Sequence, residues 1–88
     1  MIKQIWRVYV VSCSDDTLYC GISTDVEKRV KTHNAGKGAK YTRPRTPVRL
    51  VWQWRVSSKS EALKLEHEIK KMSRKEKIRM IGGLWKSV

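Results

Sequence analysis

Tyr19-Cys20-Gly21-Ile22-Ser23-Thr24-Asp25-Val26-Glu27-Lys28-Arg29-Val30-Lys31-Thr32-His33 is the stretch whose reading decides the fold. It begins as a short strand, is read to turn at Gly21, and continues as a helix. Thr24-Asp25-Val26-Glu27 has the form of a capping box, with Thr24 as N-cap and Glu27 three residues on. The helix is expected to run to about Asn34, with Val26 and Val30 as its apolar stripe and Gly36 as its stop. Residues four apart share a helix face, so Arg29 and His33 point the same way. A phenol from Tyr19, a guanidinium and an imidazole can therefore converge on one place.

Outward from that stretch, Ile5 to Cys13 is rich in β-branched and aromatic residues and apolar on both faces, the pattern of a central strand. Ser14-Asp15-Asp16-Thr17 is a turn cluster, and Leu18 to Ile22 returns as the second strand of a hairpin. Tyr9 and Tyr19 then lie on adjacent antiparallel strands, and their relative facing depends on the register. Ala35 to Pro47 reads as an irregular loop with two glycines and two prolines. Val48 to Val56 alternates, with Val48, Leu50, Trp52, Trp54 and Val56 on one side, as in a half-buried strand. Because the tryptophans share the period of the aliphatic residues, they are expected in the core. Ser58-Lys59-Ser60-Glu61 and Ser73-Arg74-Lys75-Glu76 are two further capping boxes. The first opens a helix with Ala62, Leu65, Ile69 and Met72 at helical spacing. The second opens a short helix with Ile78 and Ile81 that stops at Gly82-Gly83. Leu84 and Trp85 are expected to fold back on the core. The order is β-β-α-β-α-α, an α/β (α+β) sandwich, read as one domain over residues 1–88 with its core over about 6–81.

The chain has 88 residues, 20 Lys+Arg against 8 Asp+Glu, and a formal net charge of +12. Such an excess gathers polyanions, and nucleic acid is the first candidate. No long apolar run or basic amphipathic helix argues for a membrane. Cys13 and Cys20 fit neither a C-x-x-C pair nor zinc spacing, and are read as small buried thiols. No secretory signature opens the chain, so the expected location is the reducing cytoplasm.

Several residues carry chemistry. Glu66 lies within an apolar helix stripe, where a carboxylate is costly unless paired or bound to metal. A salt bridge with a neighbouring cation is the plain structural account. The chemical account is one carboxylate holding a magnesium ion that keeps most of its waters. Arg29 can grip a phosphate through two parallel hydrogen bonds; on a basic surface, an arbitrary arginine is more often just solvated. Tyr9 and Tyr19 can donate a hydrogen bond or, if positive charge lowers the phenol pKa, accept a proton; a strand tyrosine is more often simply core. His33 can order a water or a tyrosine, or merely interact with the helix dipole. Lys37, Lys40, Arg43 and Arg45 surround Tyr41 in the basic loop, which can track a phosphate backbone or serve as a solvated loop. Together these groups describe metal-assisted phosphodiester hydrolysis.

With these residues in place, the chain resembles the GIY-YIG nuclease family. Val8-Tyr9 stands where that family has the Ile-Tyr of its first motif, and Tyr19-Cys20-Gly21 where it has Tyr-Ile-Gly. Arg29 matches the catalytic arginine in its spacing, His33 follows one turn later, and Glu66 in A-L-K-L-E-H-E-I-K matches the metal-binding glutamate. Arg7 and Cys20 depart from the two motifs, and no asparagine follows Glu66, where many members carry one. The resemblance is closest to small stand-alone bacterial GIY-YIG proteins, an uncharacterised group. It implies a three-stranded antiparallel sheet flanked by helices, one divalent metal (Mg²⁺ or Mn²⁺) at Glu66, and DNA cleavage using Tyr9, Tyr19, Arg29, His33 and Glu66. The expected activity is that of an endonuclease directed by DNA structure, in DNA repair or recombination, with a protein partner or a dimer as further options. The alternative is a non-catalytic nucleic-acid-binding module that keeps the nuclease fold. A third reading is an RNA-binding basic protein whose Trp residues and Tyr41 stack on unpaired bases.

Overall fold

The computed structural model of the chain describes residues 4–82; Gly83, Leu84 and Trp85 lie outside the described residues. The elements are β1 (Trp6–Ser12), β2 (Leu18–Ser23), α1 (Val26–Asn34), β3 (Arg49–Val56), α2 (Lys59–Lys71) and α3 (Arg74–Ile81). The strands form one antiparallel sheet in the order β2-β1-β3, so β1 is central. Among the described residues, no helix is long and apolar enough to cross a membrane.

The apolar character of β1 on both faces follows from this position. Val8 and Val10 join Cys20, Ala62 and Ile69 in one core, flanked by Leu65 of α2, Met72 at its C-cap, and Met80 and Ile81 of α3. Tyr9 and Val11 join Cys13, Val26 and Val48 in a second core under α1. Val8, Val10 and Val11 are fully buried, and burial of such a side chain stabilises by roughly 1.5–3 kcal/mol. Both cysteines are buried and free.

β3 departs from the single alternating face expected of it. Val10 pairs with Trp52 and Val11 with Leu50, an irregularity that leaves Val51 as an extra residue. One extra residue reverses the pleat. Leu50 therefore faces the α1 side, whereas Trp52, Trp54 and Val56 face the α2 side. Trp52 packs against the core. Trp54 does not: α2 lies mainly over β1 and β2, and Trp54 is 59% exposed, stacked nearly parallel on Trp52 at 6.2 Å and 7°. The expectation that both tryptophans are core is corrected for Trp54.

The helix starts also differ in detail. β2 continues through Gly21 to Ser23 without a turn at the glycine. Asp25, not Thr24, caps α1, accepting from Lys28 N–H at 3.0 Å. Ser23 Oγ accepts from Asp25 N–H. With the start displaced by one residue, Glu27 stands too early to close a box. Ser58 caps α2 as expected, but Glu61 accepts from the N–H and hydroxyl of Ser57 at 3.1 and 2.6 Å. Only Ser73 and Glu76 form a reciprocal box. α3 ends at Gly82, whose φ of 103° suits a residue without a side chain.

The loop after α1 contains one 3-10 turn, Arg43–Arg45, where no regular structure was expected. Its far end is tied to α1 by Asn34. The Asn34 amide donates to Val48 C=O at 3.0 Å and its oxygen accepts from Val48 N–H at 2.6 Å, so one side chain imitates a strand partner.

Candidate active site

Gly21 pairs with Tyr9 across β1 and β2, and Val11 pairs with Tyr19. Residues two apart in a strand share a face, so both tyrosines look toward α1, which answers the question of register. Tyr9's ring lies across Gly21: a Cβ there would stand 2.6 Å from Tyr9 Oη and 2.8 Å from its Cζ. The glycine is required by this close approach. Tyr9 Oη lies 2.8 Å from His33 Nε2, and His33 Nδ1 lies 2.8 Å from Thr42 Oγ1. The Thr42 hydroxyl donates to Ala39 C=O at 2.9 Å. His33 is 1% exposed, so its position at the end of α1 serves these two bonds rather than a solvated interaction with the helix terminus.

Tyr19 is half-buried and meets His33 edge-on, with ring centroids 5.5 Å apart at 68°. Its face stacks on Tyr41 at 6.0 Å and 18°, and the Arg45 guanidinium lies over Tyr41, 4.1 Å from the ring centre. Tyr41 therefore has two ring partners, Tyr19 and Arg45. Arg45 is also engaged elsewhere, with Asp15 at 3.0 Å and the Tyr41 carbonyl at 2.7 Å. The Asp15 carboxyl is held below its usual range, first by the Thr17 hydroxyl and less by Arg45. Arg45 and Tyr41 thus fasten the loop to the hairpin turn and to the site. Lys37, Lys40 and Arg43 are exposed, with Arg43 Nε–H donating to Gly38 C=O at 3.3 Å.

Arg29 is exposed at the rim; its backbone N–H donates to Asp25 C=O at 3.0 Å, and among the described residues its guanidinium makes no hydrogen bond or ion pair. Its charge acts on Tyr9, Tyr19 and His33 alike. Burial nevertheless dominates both phenols and pushes their pKa values up, with Glu66 adding in the same direction and Arg29 opposing. A base role for a free phenolate needs positive charge to lower the phenol pKa, and Arg29 alone does not supply enough: desolvation is the larger effect. Burial first, then Arg29, pushes the His33 pKa down, so the imidazole is neutral near pH 7. Cys20 faces the other side of the sheet, where burial pushes its thiol up to about 12 and makes it inert as a nucleophile.

Glu66 projects from α2 with its side chain 19% exposed, 3.4 Å from Lys70 Nζ. An i,i+4 helical pair contributes only about 0.3–0.5 kcal/mol, and Lys70 is largely exposed, so a cation can displace it at little cost. Glu68 pairs with Lys71 at 3.6 Å and is largely exposed. Among the described residues, no three His, Cys, Asp or Glu side chains gather as a metal cage. A hard carboxylate oxygen at a partly open position suits magnesium, which takes few protein ligands and keeps several waters.

The model of the GIY-YIG catalytic domain matches residues 5–79. The chain belongs to the GIY-YIG nuclease family. A UPF0213 protein of Staphylococcus haemolyticus is 60% identical over 74 residues, covering 84% of this chain and 90% of that one. The solution NMR structure of a UPF0213 protein of Bacillus halodurans is 46% identical, with a TM-score of 0.58 over 89% of this chain and 83% of that one. The solution NMR structure of an E. faecalis protein is 37% identical, with a TM-score of 0.62 over 93% and 88%. Nucleases of the GIY-YIG family act on DNA and generally use a divalent metal. In this GIY-YIG domain the sequence-level candidates fall into two sets. Tyr9, Tyr19 and His33 are in contact, while Arg29 and Glu66 act on the tyrosines as charges from α1 and α2. Thr42 and Asn34 were not among the sequence candidates. Thr42 sits nine residues from His33 in an irregular loop, where no periodicity links them. For Asn34 the one available signal was that it is the sole asparagine in the chain.

Proposed function

We propose that this chain is a metal-dependent endonuclease that hydrolyses DNA phosphodiester bonds. We propose further that it is directed by nucleic-acid structure, on substrates of the kind that arise in DNA repair or recombination. The observation that carries this reading is the buried 2.8 Å pair of Tyr9 and neutral His33, with the guanidinium of Arg29, unpaired among the described residues, acting on both. The exposed Lys37, Lys40 and Arg43 support nucleic acid as the substrate. Contacts of this kind go to phosphates, which position a duplex without reading bases.

The chemistry follows from proton bookkeeping. Tyr9 is too basic as a phenolate to exist free, but its O–H donates to His33 Nε2. The remaining lone pair on the phenol oxygen can accept a proton from water. As the water oxygen bonds to phosphorus, its proton passes to Tyr9 Oη while the phenol proton passes to His33 Nε2. His33 becomes imidazolium, now donating to the oxygen from which it had accepted. Arg29 grips the phosphate oxygens and offsets the negative charge that grows as the bond to the leaving oxygen breaks. A divalent ion held by Glu66 would supply Lewis-acid stabilisation of the leaving oxygen.

The test is cleavage of end-labelled duplex, flap, branched and single-stranded DNA in Mg²⁺, Mn²⁺ or EDTA. The expected result is metal-dependent cutting, lost in Glu66→Ala and in Arg29→Ala, with both variants folded. Cutting by both variants at the parental rate refutes the reading. Salt-sensitive binding without cutting assigns the chain to a binding module instead.

A further inference from the structure

We propose that Thr42 is a positioning residue: its hydroxyl, turned to the Ala39 carbonyl, keeps the proton of neutral His33 on Nδ1 and leaves Nε2 open to Tyr9. The inference rests on the reading in which His33 takes the proton relayed through Tyr9. Its argument is a count of donors. A neutral imidazole has one N–H and one lone pair, and a threonine hydroxyl has one proton. In the arrangement stated, Tyr9 O–H donates to Nε2, Nδ1–H donates to Thr42 Oγ1, and Thr42 O–H donates to Ala39 C=O, at 2.8, 2.8 and 2.9 Å. Every donor in the chain is used.

The reverse arrangement has Thr42 donating to Nδ1 and Nε2–H donating to Tyr9 Oη. Tyr9 O–H then has no protein acceptor among the described residues and can turn only toward the attacking water, which blocks the relay of that water's proton through Tyr9 to His33. The Ala39 carbonyl also loses a partner, though it keeps the N–H groups of Thr42 and Arg43 at 3.0 and 3.2 Å. A threonine hydroxyl bonded to a carbonyl three residues back is a common local habit, so the first arrangement is also the one the loop favours. Thr42 is fully buried and cannot exchange its bond for water.

The loop holds this geometry closely. A Cβ on Gly38 would collide with His33 Nδ1 and approach its Cα to 2.8 Å, so Gly38 lies flush against the imidazole. Which nitrogen of a histidine carries the proton is set by the partner of the other. Thr42 is therefore to His33 what an orienting group is to a general base, acting through it and not on the substrate.

The test begins with ¹⁵N NMR of the His33 ring in the parental protein near neutral pH. The proposal expects a protonated Nδ1 and a bare Nε2. Thr42→Val keeps the shape and removes the hydroxyl; it should move the proton toward Nε2, whereas Thr42→Ser should retain the parental tautomer. In the cleavage assay Thr42→Val should lower kcat by about 10- to 100-fold, less than the roughly 10²–10⁴ attributed to a whole proton-transfer group. KM should not change, and Thr42→Ser should restore kcat. A parental spectrum with the proton on Nε2 overturns the proposal without any variant. So does Thr42→Val with the Nδ1–H tautomer and parental kcat. Should the parental protein cut no DNA yet show the expected tautomers in all three forms, the positioning role stands and the nuclease reading is what fails.

Discussion

Replacing Gly21 by alanine puts one methyl group where there is no space for it. The new Cβ would stand 2.6 Å from Tyr9 Oη, 2.8 Å from Cζ and 3.0 Å from Cε1, against 3.4–4 Å for ordinary contact. The ring is rigid and 2% exposed, so it must slide as a body. Its 2.8 Å bond to His33 is the first interaction lost. Forcing a methyl into a packed interior costs about 1–3 kcal/mol, and leaving the phenol and imidazole unpaired costs about 1–3 kcal/mol more. Alanine in place of glycine returns about 0.5–1 kcal/mol by restricting the unfolded chain, too little to change the sign. The net loss is about 1–5 kcal/mol, or a fall in Tm of roughly 5–40 °C for a chain of this size. Thermal unfolding by circular dichroism reads it directly. The same substitution in a Tyr9→Phe background lacks the nearest clashing atom and the hydrogen bond. It should cost less there, with a coupling of about 1 kcal/mol or more between the two sites. A Tm for Gly21→Ala equal to that of the parent, or strictly additive effects in the cycle, refutes the close approach as the reason for this glycine.

Two further outcomes follow from the structure. The His33 pKa is lowered in the folded state, by burial first and Arg29 second. Below the unfolded value of about 6.5 the unfolded chain binds a proton that the folded chain refuses, so stability should be full above that pH and decline as pH falls below it. Urea midpoints measured from about pH 7 to pH 5 should show this slope, reduced in His33→Asn, and a slope unchanged by that substitution refutes the assignment. Asn34→Ala strips Val48 of partners for both its N–H and its C=O and should cost about 1–2 kcal/mol in denaturant titration. Asn34→Asp keeps the acceptor alone and should fall between.

The tryptophan pair on β3 illustrates how a local pattern can mislead. The alternation over Val48 to Val56 is real in the sequence, and a regular strand would put all five apolar residues on one side. The extra residue at Val51 divides the set between the two faces, and the offset of α2 toward β1 and β2 leaves Trp54 uncovered. Neither cause is encoded in the strand itself. One is a matter of pairing with β1, the other of where a distant helix comes to rest. The capping boxes make the same point on a smaller scale. Ser73 and Glu76 close as their spacing suggests, while Thr24 and Glu27 do not, because β2 runs on to Ser23 and passes the cap to Asp25.

The sequence by itself determined the order of elements, the central place of the strand from Trp6 to Ser12, and the helical stripes of Ala62 and Ile69, and it named Tyr9, Tyr19, Arg29, His33 and Glu66 as candidates through motif spacing. These are legible because they rest on local regularities: periods of two and 3.6, turn residues, and motif spacing. Only the tertiary structure decided how the set is wired. The pairing of Tyr9 with Gly21 turned both tyrosines toward α1, and the returning loop brought Thr42 to His33 and stacked Tyr41 on Tyr19. Burial then overrode the nearby positive charge and kept both phenols protonated. Register, loop path and desolvation are sums over residues far apart in the chain, and a hydrogen bond between residues 24 apart in sequence, such as Tyr9 to His33, exists only once all of them have been fixed together.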